Sequence, residues 1–216
     1  MKLEVHGSRE DAISRAVSIL GLEGSVNLFL SGGSSFDVFR AADDVISDSQ
    51  ASQTSLFQID ERYGMVGHKD SNWNLTDDIR LDRYASIHPI LKPHTAPAET
   101  AKDYEQSVQD ALVDGTNVAI LGVGDDAHVA GVKPMPPKRF EVSFSGKQVA
   151  NYEWEDYSRI TLTLEALMKF DRLVVFASGE AKQIVIDSLD QERSVHNSPI
   201  HGLINHPDLT IIYSKG

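Results

Sequence analysis

Val26-Asn27-Leu28-Phe29-Leu30-Ser31-Gly32-Gly33-Ser34-Ser35 is a nearly continuous apolar run that stops at a serine–glycine turn, and helical spacing at Val38, Ala41 and Val45 follows it. Four more runs read the same way: Leu56–Ile59, Val118–Leu121, Leu173–Ala177 and Leu209–Tyr213. Strands buried on both faces are apolar throughout instead of alternating. Between the runs lie further segments with helical spacing, at Ile13, Val17 and Leu20 and at Ile184, Val185 and Leu189. Strands alternating with helices predict an α/β protein: a Rossmann-like, doubly wound, mainly parallel sheet with helices on both faces.

The 216 residues carry 41% hydrophobic and 24% charged side chains, the usage of a folded chain. No repeat, low-complexity tract or composition shift marks a linker, so residues 1–216 are expected to form a single domain. A formal net charge of −12 repels polyanions, which disfavours a nucleic-acid partner while leaving a small anion open to a few local donors. Without cysteine there is no disulfide, thiolate metal site or thiol nucleophile. No apolar stretch has the length of a membrane span or signal peptide, so no membrane partner and a cytoplasmic location are expected.

Three strand-end segments carry chemistry. Ser31-Gly32-Gly33-Ser34 lies between a strand and a helix, where glycines allow close backbone approach and the helix amides favour an anion. The same residues also suit a plain strand-to-helix turn with a serine cap. Asp60-Glu61-Arg62 reads as a loop after Leu56–Ile59, followed by Ser71-Asn72. Arg62 can hold two phosphate oxygens at once, although a solvated charged turn is the competing reading. In an open parallel sheet both segments point into the crevice at the carboxyl ends of the strands.

The third segment, Leu121-Gly122-Val123-Gly124-Asp125-Asp126-Ala127-His128-Val129-Ala130-Gly131-Val132-Lys133-Pro134, places a histidine at a glycine-rich strand end. His128 is a candidate general base and Asp126 its orienting carboxylate. Arg159 and Lys182 are cations able to complete an anion pocket. Lys182 falls in a first helical turn, where a bound anion would relieve its conflict with the dipole.

His196, His201 and His206 recur at intervals of five instead of the four that align zinc ligands on a helix, so no metal site is assigned to them. Pro199 is expected to open a short helix that His206-Pro207 ends. No Gly-Lys-Ser/Thr or complete GxGxxG pattern supports a nucleotide. Lys133–Tyr157, with Pro134, Pro136 and Pro137 before Phe140–Phe144 and Val149–Trp154, suggests a short hairpin or an irregular excursion.

Taken in order, Ser31–Ser34, Asp60–Arg62 with Ser71-Asn72, Leu121–Pro134, Arg159-Ile160-Thr161 and Gly179–Lys182 resemble the 6-phosphogluconolactonase family, within the superfamily that includes glucosamine-6-phosphate deaminase. The family's third segment is close to LGxGxDGHxASLFP. Leu121, Gly122, Gly124, Asp126, His128, Ala130 and Pro134 match it, whereas Ala127, Gly131 and Lys133 replace glycine, serine and phenylalanine. If residue 127 must be left-handed, its methyl group costs about 1–2 kcal/mol.

The resemblance implies hydrolysis of 6-phosphogluconolactone in the oxidative pentose phosphate pathway. His128 and Asp126 would be catalytic, and Ser31, Gly32, Gly33, Ser34, Asp60, Arg62, Asn72, Arg159 and Lys182 would hold the sugar phosphate. No metal or organic cofactor is implied. Two alternatives stand beside it. One is an amino-sugar-phosphate isomerase or deaminase using Asp60, which Arg62 and Val132-Lys133-Pro134 disfavour, since the deaminases resemble Asp-Glu-Tyr and Asn-Glu-Pro there. The other is a sugar-phosphate sensor without catalysis, against which Asp126 and His128 argue.

Overall fold

The computed structural model describes residues 1–216. In chain order the elements are β1 (Lys2–His6), α1 (Arg9–Ser18), β2 (Val26–Leu30), α2 (Phe36–Val45), α3 (Asp48–Ala51), β3 (Thr54–Gln58), β4 (Asp60–Arg62), β5 (Ser86–His88), α4 (Pro97–Val113), β6 (Thr116–Gly122), α5 (Pro137–Phe144), β7 (Val149–Tyr152), β8 (Arg159–Leu162), α6 (Leu164–Leu167), β9 (Arg172–Ser178), α7 (Gln183–Ile186) and β10 (Leu209–Ser214). Seven strands form one sheet in the order β1-β10-β9-β6-β2-β3-β5, and every neighbouring pair is parallel. From β2 the chain winds outward through β3 and β5, then returns to β6 and winds the other way. The switch between β2 and β6 opens the crevice where such sheets take ligands.

All five residues of β2 are buried, and they alternate between two cores. Leu28 and Leu30 meet Ala12 and Ala16 of α1 and Phe36, Val38 and Phe39 of α2. Phe29 points the other way, stacking on Phe57 at 4.6 Å and meeting Phe170 at 4.5 Å. Tyr104 and Val108 of α4 and Val185 and Ile186 of α7 cover that second face. Helices therefore lie on both faces, and none is long and apolar enough to cross a membrane.

The two edge strands, β1 and β5, have no counterpart among the apolar runs, because their solvent-facing side chains are polar or exposed. A second, antiparallel sheet, in the order β4-β8-β7, also lies outside the expected pattern. Asp60–Arg62 is strand β4, not a loop. It pairs with β8 in the register Asp60 to Thr161, Glu61 to Ile160 and Arg62 to Arg159. A three-residue charged strand has no apolar signature, and only its partner reveals it.

Lys133–Tyr157 likewise departs from the hairpin reading, because Pro137 opens helix α5 and only β7 is extended. Phe140 and Phe144, four residues apart on α5, face one another. Phe144 also packs edge-on to Tyr152 in a small separate core.

Candidate active site

The first segment leaves β2 at buried Ser31 and enters a 3₁₀ turn, Gly33–Ser35, that leads directly into α2. Gly33 has φ +68°, and a Cβ on Gly32 would lie 2.2 Å from Asn72 Oδ1. Both glycines are therefore required, one by conformation and the other by close approach. Ser31 Oγ donates to Asp60 Oδ1 at 3.2 Å, tying the end of β2 to β4.

Along β4, Asp60 and Arg62 share one face and Glu61 takes the other. Glu61 is buried, and its carboxylate accepts from Gln58 Nε2 (2.8 Å), Arg62 N (2.8 Å), Ser71 Oγ (2.7 Å), Asn72 N (2.8 Å) and Trp73 N (3.2 Å). It clamps the 70–74 turn to the strand. Asn72 Nδ2 then donates to Asp60 O (3.0 Å) and Oδ2 (3.3 Å), while Arg62 Nη1 donates to Asn72 Oδ1 (3.0 Å) and Asp70 O (3.0 Å).

Arg62 sits directly across from Arg159, and like charges placed opposite one another in a ladder are unfavourable. Arg159 Nη2 donates to both oxygens of Asp156 (3.0 and 2.9 Å), yet its buried Nε has no hydrogen-bond partner. Burial, aided by the charge of Glu61, raises the Asp60 carboxyl above its usual range, against the pull of Arg62, His128 and Arg159.

The third segment turns back on itself through bridges between Val123 and Val129 and between Val129 and Val132. This fold puts Ala127 at φ +65° and Ala130 at φ +54°. The condition raised by the alanine at 127 is thus met, and its methyl group sits in the left-handed region. The His128 ring lies over Gly124, where a Cβ would come 1.9 Å from Nδ1.

Asp126 Oδ1 contacts His128 Nδ1 and accepts from the His128 backbone N–H at 3.1 Å. Burial pushes the Asp126 carboxyl up, but the hydrogen bond and charge of His128, with Lys133 beyond, outweigh it and hold the group well below the usual carboxylate range. With Nδ1 engaged, Nε2 is the nitrogen without a protein partner.

Ser31, Gly32, Gly33, Ser34, Asp60, Arg62, Asn72, His128, Arg159 and Lys182 all line one cleft of about 720 Å³, part of it open to solvent. Asp126 stands behind His128. Of the fifteen lining residues only two are hydrophobic, which suits a polar, anionic ligand. Lys182 ends a 3₁₀ turn, Glu180–Lys182, and is paired with Asp125, so its conflict with the helix start is already relieved by a carboxylate.

Three contributors carried no role in the sequence reading: Glu61, Asp125 and Lys133. The two-residue period of a strand would have set Glu61 apart from its neighbours, had 60–62 been read as one. His201 bonds Ser198 Oγ and the Ser188 carbonyl, and His206 bonds the Phe170 carbonyl, all within the core.

These elements support anion binding at one end of the cleft and proton transfer at the other. The family described as Glucosamine-6-phosphate isomerases/6-phosphogluconolactonase matches residues 5–211. A 6-phosphogluconolactonase from Caulobacter vibrioides is 28% identical over 210 residues, covering 87% of each chain. A glucosamine-6-phosphate deaminase from Lysinibacillus sphaericus is 24% identical over 222 residues, covering 91% of this chain and 86% of the relative. The crystal structure of a 6-phosphogluconolactonase from Shewanella baltica superimposes with a TM-score of 0.84 at 18% identity, over 100% of this chain and 98% of the other. Agreement of sequence over nearly the whole length with an equally extensive agreement of fold establishes that this chain belongs to the glucosamine-6-phosphate isomerase/6-phosphogluconolactonase family.

Proposed function

We propose that this chain hydrolyses 6-phosphogluconolactone to 6-phosphogluconate. The observation that carries the reading is the meeting, in one cleft, of the Asp126–His128 pair with the Gly32-Gly33-Ser34 turn and Arg62. The turn, Arg62 and Lys182 hold the phosphate, and Arg159, with its unpartnered Nε, and Asn72 support that end. His128 Nε2 takes a proton from water as the water oxygen adds to the lactone carbonyl carbon. Collapse breaks the bond to the ring oxygen, which receives that proton, and the acid formed ionises. A positioned base of this kind supplies typically about 10²–10⁴-fold. The reaction in this form uses no cofactor.

One observation favours a second reading, isomerisation and deamination of an amino-sugar phosphate. Asp60 is a buried carboxyl in the cleft with its proton affinity raised, as a shuttle between C1 and C2 requires. Arg62 and Lys133, where the deaminase pattern has tyrosine and glutamate, weigh against it.

The deciding assay compares phosphorylated and unphosphorylated lactone above their spontaneous opening, with ammonia release from glucosamine 6-phosphate alongside. Acceleration of the phosphorylated lactone alone is expected, with Arg62→Ala raising KM strongly because a charge-assisted clamp is lost. Equal acceleration of both lactones would remove the phosphate end from the mechanism, and ammonia release would transfer the assignment to the second reading.

A further inference from the structure

Lys133 stands where the family motif has phenylalanine, and its side chain is turned inward, 17% exposed, onto the Asp126–His128 pair. Lys133 Nζ lies 3.0 Å from His128 Nδ1 and 3.4 Å from Asp126 Oδ2. Nδ1 therefore has two partners, Asp126 Oδ1 and Lys133 Nζ, and their demands are opposite. An ammonium group only donates, so its bond to Nδ1 exists when Nδ1 carries the lone pair. An ionised carboxylate only accepts, so the bond to Asp126 exists when Nδ1 carries the hydrogen.

In the neutral ring one choice fixes the other nitrogen. Hydrogen on Nδ1 leaves Nε2 basic toward the cleft, whereas hydrogen on Nε2 leaves it unable to accept a proton. The other charged groups near the ring do not resolve this competition. Asp60 faces it from β4, with Arg62 and Arg159 beyond, and the Lys182 ammonium is taken up by Asp125.

We propose that Lys133 is a positioning residue that opposes Asp126 for Nδ1 and holds part of the His128 population in the tautomer that cannot act as a base. The consequence for rate rests on the reading of His128 as the general base. The consequence for the tautomer does not. Lys133 thus makes this site slower than the same site with an uncharged residue at 133.

The test is the ¹⁵N spectrum of the His128 ring in the full-length protein, recorded where the imidazole is neutral, for wild type, Lys133→Met and Lys133→Arg. Lys133→Met should move the ring nitrogens toward the hydrogen-on-Nδ1 pattern, while Lys133→Arg, which keeps the donor, should stay near wild type. With the phosphorylated lactone, Lys133→Met should raise kcat by about three- to tenfold, the worth of one hydrogen bond, with KM little changed. Ring nitrogens unmoved in Lys133→Met would overturn the proposal, as would a lowered kcat in that variant. Because the spectrum needs no substrate, a wild type that fails to hydrolyse lactone would overturn the proposed function and leave this test in force.

Discussion

His128 is the residue on which turnover depends in the proposed reaction, since Nε2 is its free nitrogen and Asp126 meets the other. His128→Ala should lower kcat by about 10²–10⁴ while the affinity for inorganic phosphate stays near wild type, because the ring acts on water and not on the anchor. Asp126→Asn should cost less, since it misorients the ring without deleting it. Stopped assays corrected for spontaneous lactone opening check both, and full activity in His128→Ala would show that another group supplies the base. One residue away, Ala127 holds φ +65° with a methyl group that glycine lacks. Relief of that strain, offset by glycine's greater flexibility when unfolded, should make Ala127→Gly more stable by about 1 kcal/mol. Thermal unfolding should then show a Tm higher by about 2–4 °C for a chain of this size.

At the scale of elements, strand β4 organises the anion end through its alternation. Asp60 and Arg62 face the cleft, and Glu61 turns back to hold the 70–74 turn through three of its five donors, Ser71 Oγ, Asn72 N and Trp73 N. Glu61→Ala leaves buried donors unpaired and should cost about 2–4 kcal/mol in chemical denaturation. Released from Glu61, Asn72 no longer positions Arg62, so KM for the phosphorylated lactone should rise by about tenfold with a smaller change in kcat. A variant that lost stability but kept its KM would show that the turn serves the fold alone. The pairing of β4 with β8 has a second effect, because it sets Arg62 against Arg159 at a cost that a dianion bound there, as proposed, would offset.

For the whole molecule, the governing quantity is a net charge of −12 around a cleft lined by Arg62, Lys133, Arg159 and Lys182. An approaching phosphate feels repulsion at long range and attraction only near the wall. Screening acts over about 30 Å at 0.01 M salt and about 10 Å at 0.1 M, so added salt first removes the long-range repulsion. The value of kcat/KM should therefore rise between those concentrations. A steep fall across the same interval would mean that the cations outweigh the global field even at a distance.

What the sequence determined by itself was whatever depends on local pattern. Continuous apolar runs marked the five central strands of the parallel sheet, because burial on both faces leaves no alternation. Strand-end glycines, and a histidine two residues from an aspartate, marked the segments that now meet at the switch between β2 and β6. Pairing between distant segments lay beyond it. Asp60–Arg62 is a strand only because Arg159–Thr161 lies beside it, and the aromatic face of α5 finds its cover in Tyr152 and Trp154, residues that follow it in the chain. The fold also turned Lys133 inward onto His128, because backbone reversal at Val129 and Val132 brings residues five apart into hydrogen-bond range. Residue identity and spacing carry propensities and local caps, whereas partners across the chain follow from packing, which no short window contains.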